Sequence, residues 1–336
     1  MYNIFMKNSS EYKSVVIIGG GSGTSAVLEG LKKYPVNLSA IITTADNGGS
    51  SGKLRDEFEM IPPGDIRQCL VALASRNYGY LNDRFQEGSL QGHTLGNLLI
   101  TLFYQKNKDF QQAIDELLVL AGAKGSLIPA TLRPVNLVAK FSDGSEIVGE
   151  KSITRSRIVG EKLKRMMISP AATKANPKAI SAIKNADVII VGPGNLFSSV
   201  IPNFLVREIR DSFKNSGAKK IYIANLFTQP GHTDKFSISD FERQISKYAG
   251  GVKFDYIIHN TASIPDKILK KYKNSALSHA LLANESEKGD KRFIGGEIAR
   301  LSPKEIIKSD PMAKNRNPFL HDSKRVAKII MGIVEG

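Results

Sequence analysis

The first regular signal is Val15-Val16-Ile17-Ile18, an uninterrupted β-branched run that ends in glycines, as a strand buried on both faces of a parallel sheet does. Helical spacing follows at Ala26, Val27, Leu28 and Leu31 and stops at Tyr34-Pro35, where proline cannot continue the hydrogen-bond ladder. Residues 38–43 then read as a second strand, which completes a β-α-β unit. The same grammar returns at residues 187–191, 221–224 and 255–258, each beside helix-like sequence. Between 127 and 153 the pattern changes to alternation around Asp143-Gly144, a two-residue turn signal flanked by 137–141 and 146–148. The expected fold class is therefore α/β: a Rossmann-like doubly wound, mostly parallel sheet with a small β-hairpin insertion at about 127–153. Residues 1–13 are polar and aperiodic and read as a flexible extension, and 14–336 as a single domain. After Asn260 the chain turns polar and lysine-rich, with helices expected near 265–272 and 323–334.

Composition leaves room for a core: of 336 residues 41% are apolar and 24% charged, the balance of an ordinary globular chain. The one thiol, Cys69, cannot form an internal disulfide, and residues 1–14 lack a signal-peptide apolar core, so a cytoplasmic location is expected. No apolar run approaches the roughly 18 to 20 residues that span a bilayer, and no membrane role is expected. The net charge of +15 is uneven. Lys and Arg number 20 against 16 Asp and Glu in residues 1–168, and 27 against 16 in 169–336. That excess suits an anionic partner without choosing one. No aromatic-rich basic strand offers a platform for bases, so nucleic acid is not expected, and dispersed lysines also read as a solvated surface.

In open α/β sheets ligands bind beyond the carboxyl ends of the strands, which directs attention to those loops. The first, Gly19-Gly20-Gly21-Ser22-Gly23-Thr24, opens a helix, and its Gly21-x-Gly23-x-x-Ala26 spacing fits a phosphate-binding fingerprint. A tight turn with close helix packing would use the same glycines. Asp46 stands where a Rossmann acid meets a ribose hydroxyl, yet it is followed by Asn47-Gly48-Gly49-Ser50-Ser51-Gly52, with Lys53 and Arg55 behind. That stretch is either a flexible turn or a nest of N–H and O–H donors for an oxyanion. In Pro62-Pro63-Gly64-Asp65-Ile66-Arg67, Asp65 is a plausible helix N-cap and Arg67 could face an anion, while Cys69 reads as core packing. Gly92-His93-Thr94-Leu95-Gly96-Asn97 precedes an apolar run; His93 caps, packs or contributes to a site. Gly192-Pro193-Gly194-Asn195 ends a strand, Asn225 to Gly231 including Thr228 ends the next, and His259-Asn260-Thr261 a third.

Absent motifs decide something too. There is no Cys cluster, no H-E-x-x-H, no nucleophile elbow and no P-loop, which disfavours a zinc enzyme, a serine hydrolase and a P-loop nucleotidase. The donors suit a nucleotide or sugar nucleotide. Asp46 and Asp65 are the obvious loop carboxylates and the candidates for any catalytic role; they could hold hydroxyls, a divalent ion such as Mg²⁺, or a proton in transfer.

Taken together and in order, these segments resemble the gluconeogenesis factors, the YvcK-like branch of the CofD-like superfamily whose other branch contains 2-phospho-L-lactate transferase. The resemblance spans about residues 14–260. It is carried by the triple glycine at Gly19, the Asp46 to Gly52 loop running into Leu54-Arg55-Asp56, residues 62–67 and 92–97, Leu127-Ile128-Pro129-Ala130-Thr131, 192–195 with Ile201-Pro202-Asn203, and 225–231. It implies a Rossmann-like core, a cytoplasmic location, and a role in cell shape and envelope precursor supply on gluconeogenic carbon sources through binding a UDP-sugar such as UDP-N-acetylglucosamine. It implies no established reaction; in the transferase branch the matching loops hold a guanosine nucleotide and a deazaflavin acceptor. The implied partner is a nucleotide sugar, with self-association and a protein partner in envelope synthesis left open. Four positions depart from the family pattern: His232 for Glu, Phe197-Ser198 for Tyr-Thr, Phe241 for the His after Asp240, and Leu320 for the Arg of an Arg-His-Asp. Arg316 or Lys324 is the nearest replacement for that Arg.

Overall fold

The computed structural model describes residues 12–156, 159–265, 280–300 and 319–336. In chain order the main strands are β1 (Ser14–Gly19), β2 (Asn37–Ile42), β3 (Ser126–Pro129), β4 (Asn136–Phe141), β5 (Glu146–Val148), β6 (Leu163–Ser169), β7 (Val188–Val191), β8 (Lys219–Ile223), β9 (Tyr256–Asn260) and β10 (Phe293–Gly296). The helices that matter below are α1 (Gly21–Leu31), α2 (Gly49–Glu57), α3 (Gly64–Leu73), α4 (Leu95–Asn107), α5 (Phe110–Leu120) and α6 (Glu150–Arg155).

Seven strands form one sheet in the order β10-β9-β8-β7-β1-β2-β3, with every neighbouring pair parallel. Parallel strands must be buried on both faces, and β1 shows how its sequence meets that demand. Val15 and Ile17 enter a core with α1, α3, α5 and the helix Ser323–Glu335, while Val16 and Ile18 point into the opposite core, beneath the helices at 177–184, 207–215 and 238–248. A period of two with both phases apolar makes this two-sided burial possible. The order of strands reverses between β1 and β7, which pair from Val15 opposite Val188 to Ile18 opposite Val191. That reversal is where a crevice opens in doubly wound sheets.

The predicted doubly wound α/β class is the observed one; the structure differs in extent. The hairpin around Asp143-Gly144 is present as β4 and β5, with Lys140 opposite Glu146. The insertion expected at 127–153, however, begins later and ends later. β3 belongs to the large sheet, and β6 adds a third antiparallel strand to give β5-β4-β6. β6 exposes Lys164 and Arg165, so its alternation is masked by charge. β10 was not anticipated either: two of its four residues are glycine, and it joins β9 through backbone pairing. The helix expected at 323–334 is present as Ser323–Glu335. Expectations for 1–11 and for most of 265–272 fall outside the described residues. No helix among the described residues is long and apolar enough to cross a membrane.

Candidate functional site

The loops after β1, β2, β7 and β8 meet in one cavity of about 210 Å³ at the switch point. Its lining includes Gly20, Gly21, Ser22 and Gly23 from the first loop, Asp46, Gly48, Gly49, Ser50 and Ser51 from the second, and Asp65 and Arg67 from α3. Asn97 from α4, Pro193, Gly194 and Asn195, and Asn225 complete the predicted set found there. Segments far apart in sequence thus share one wall system. Thr24, Asn47, His93, Gly192 and Thr228 do not line the cavity.

Close packing at the switch point depends on glycine. A Cβ on Gly23 would collide with the Pro193 carbonyl, so α1 lies directly on the loop after β7. Asn225 Nδ2 donates to the Gly194 carbonyl at 2.8 Å, and Asn203 Nδ2 donates to the Gly19 carbonyl at 3.2 Å, tying the loops of three strands together.

The first turns of three helices line the cleft. α1, α2 and α3 begin after Gly20, Gly48 and Pro63, and none of these accepts a side-chain cap bond. The first N–H groups of a helix have no intrahelical partner and carry its positive end, which favours an anion. Asp65 is consequently not the N-cap expected from sequence: it sits inside the first turn of α3, with its carboxylate beside Gly20 and Gly21. Asp46 Oδ1 accepts from the Gly48 N–H at 2.8 Å, which folds the second loop back on itself.

The off-cleft residues have identifiable tasks. His93 Nδ1 lies 3.0 Å from Ser50 Oγ, and Asn97 Nδ2 donates to the same oxygen at 3.0 Å, so this pair fixes the Ser50 hydroxyl. Burial and the nearby Lys53 hold the His93 imidazole below its usual range, favouring the neutral ring. Asn47 Oδ1 accepts the Lys151 N–H at 2.9 Å, which fastens the insertion to the second loop. Thr24 is fully buried on α1, against Gly19, and Thr228 is buried behind the wall. Lys53 is exposed, and Arg55 reaches away from the cavity to donate to Asn136 Oδ1 at 2.7 Å. Arg67 remains at the cavity, where its Nη1 donates to Asn82 Oδ1 at 2.8 Å.

Sequence reasoning missed Glu150, Thr154, Gln68, Arg84, Ser199, Leu226 and Phe319 in the lining. Glu150 changes the electrostatics most. Thr154 Oγ1 donates to its Oε1 at 2.7 Å, and burial, followed by the charges of Asp46 and Asp65, pushes its carboxyl up to about 7. The only sequence hint was an acid directly after a strand and a glycine, which reads equally well as a helix-dipole residue. Three carboxylates share the cavity, yet no group of three or more His, Cys, Asp or Glu among the described residues is arranged to hold a metal ion.

Two departures from the family pattern touch each other, since the Phe197 and His232 rings lie 6.4 Å apart, and burial drives His232 down to about 4. Leu320 and His321 line the cavity, with His321 Nε2 donating to the Ala224 carbonyl at 3.0 Å and its imidazole held near 4 by burial. Lys324 is exposed and absent from the lining, and Arg316 falls outside the described residues.

Fold and cleft together define a doubly wound α/β protein with a polar, amide-rich crevice at its switch point. The family model described as 2-phospho-L-lactate transferase CofD matches residues 15–293. The gluconeogenesis factor of Listeria monocytogenes is 41% identical over 259 residues, covering 76% of this chain and 80% of that protein. The gluconeogenesis factor of Bacillus subtilis is 34% identical over 327 residues, covering 96% and 98%. A crystal structure of a UPF0052 family member from Bacillus halodurans superposes with a TM-score of 0.84 at 34% identity, covering 95% of this chain and 99% of that one. The chain belongs to the CofD family, and its relatives there are proteins named gluconeogenesis factors.

Proposed function

We propose that this chain is a cytoplasmic regulator that binds a nucleotide sugar of the UDP-N-acetylglucosamine type and links envelope precursor supply and cell shape to growth on gluconeogenic carbon. In this reading residues 20–24 and 192–195 cradle the diphosphate, residues 46–51 hold ribose or sugar hydroxyls, and Arg67 and Asn225 close the wall with Thr228 behind them. One observation carries it: three helices without side-chain caps begin with residues that line a single crevice. Such a crevice suits a diphosphate better than it suits a neutral metabolite. Mg²⁺ enters only as a companion of the ligand's phosphates.

The test is a thermal-shift panel of UDP-N-acetylglucosamine, GDP and NAD, with and without Mg²⁺. Linkage gives about 2.7 kcal/mol of added stability at 100 times Kd. The UDP-sugar is expected to give the largest shift, and no shift at millimolar concentration would remove the proposal.

A second reading, transfer of a phospho-organic group from a nucleotide diphosphate, has support of its own in Glu150, a proton-holding carboxyl beside Asp46 and Asp65. Turnover of a nucleotide diphosphate donor in Mg²⁺ that is lost in Asp46→Asn while binding persists would favour it.

A further inference from the structure

The cleft carries a contradiction that its ligand must resolve. The amides of α1, α2 and α3 invite an anion, while Asp46, Asp65 and Glu150 line the same cavity and repel one. Asp46 Oδ1 accepts from the Gly48 N–H, and Asp65 stands at the positive start of α1. Glu150 has weaker support. It opens α6, a six-residue helix from the insertion, its Oε1 accepts from Thr154 Oγ1, and a hydrogen bond with the Ser198 side chain also favours its charged form. No ion pair with Glu150 is present among the described residues. Arg67 and Arg84 also line the cavity, and His232, behind Thr154, is held neutral.

We infer that Glu150 is the group through which the cleft takes up one proton when an anionic ligand binds, so that a carboxylic acid able to donate a hydrogen bond meets the ligand. The inference rests on the nucleotide-sugar reading above. The balance is simple: free protein, anionic ligand and one solvent proton give the complex, with the proton on a Glu150 carboxyl oxygen. Burial beside Asp46 and Asp65 pushes this carboxyl up to about 7 in the free protein, so a nearby diphosphate that raises it by about one pH unit or more leaves it mostly protonated in the complex.

The experiment is calorimetric titration with UDP-N-acetylglucosamine at pH 7.5 to 8 in buffers of different ionisation enthalpy. Its diphosphate diester has no ionisation of its own near neutrality. Uptake of about half a proton or more is expected, with affinity falling up to about tenfold per pH unit over this range. In Glu150→Gln, whose amide mimics the protonated acid in shape, uptake should vanish and the pH slope should flatten. Binding without uptake in the unaltered protein overturns the inference, as does binding that requires Mg²⁺ in its place.

A ligand-free measurement separates the two ideas. A carboxyl raised in the folded state contributes stability that is present below its unfolded value and is lost as pH rises through its folded value. The melting temperature of Glu150→Gln relative to the unaltered protein should therefore climb between pH 5 and 7.5. A flat difference overturns the inference whether or not a ligand binds. Absence of all UDP-sugar binding instead removes the nucleotide-sugar reading.

Discussion

Helices α1, α2 and α3 start at Gly20, Gly48 and Pro63 with no side chain closing their first turn. By contrast α4, α5 and the helices Pro177–Lys184, Ile238–Tyr248 and Ser323–Glu335 start on Thr94, Asp109, Asn176, Ser237 and Asp322, each accepting backbone N–H bonds. Helices α6, Ile201–Leu205 and Arg207–Asn215 also lack a side-chain cap; α6 lines the cleft with Glu150, and the other two lie away from it. The difference separates two uses of the same motif. Most helices that only build the fold have their ends completed by their own sequence, at a gain of about 1 kcal/mol. Where three ends meet at the switch point, that gain is forgone and the donors stay available.

Breaking the cleft set should have the largest effect. Gly23→Val drives a branched side chain into the Pro193 carbonyl. It is expected to cost about 1–3 kcal/mol by chemical denaturation and to abolish the UDP-sugar thermal shift. Breaking the capped set should do less and leave the cleft alone. Ser237→Ala deletes the hydroxyl that accepts from the Asp240 N–H and donates to its carboxylate, for a loss of about 1 kcal/mol with the ligand-induced shift unchanged. A changed shift would mean that the two regions are coupled. The smallest change in stability sharpens the comparison most. Gly48 has extended backbone, so Gly48→Ser places a capping hydroxyl, able also to donate to Asp46, where a cleft helix lacks one. Stability should rise by a few tenths of a kcal/mol while UDP-sugar affinity falls, because the new hydroxyl competes for the amides. Equal affinity in calorimetry would argue that α2 does not hold the phosphates.

How much of this was legible depended on what each residue had to do. β1 and β7 announce themselves because burial on both faces demands continuous Val and Ile, and β2, β8 and β9 through shorter apolar runs of the same kind. Most cleft residues could be found because the strand-end rule says where to look, and glycine at Gly23 or Gly64 records a close approach that nothing larger tolerates. Glu150 was invisible: its role comes from facing Asp46 and Asp65, residues about one hundred positions away, and no local pattern encodes that. Asp65 misled for a related reason, since capping is the commonest task of an acid at a helix start, whereas here Gly64 is already helical and the carboxylate is turned outward to another helix. β10 shows the same limit for the fold, because its partner supplies the backbone order that Gly295 and Gly296 cannot specify.

The place of β1 in the sheet has a consequence for synthesis. Its neighbours are β2, which follows within a few dozen residues, and β7, which ends only at Val191. A chain leaving the ribosome therefore carries one bare edge of its most apolar strand until more than half of its length has emerged. Such an edge is a template for pairing with other nascent chains. Slow translation across the β4-β5-β6 excursion would lengthen that exposure, and a holding chaperone acting before Val188 appears would shorten its cost.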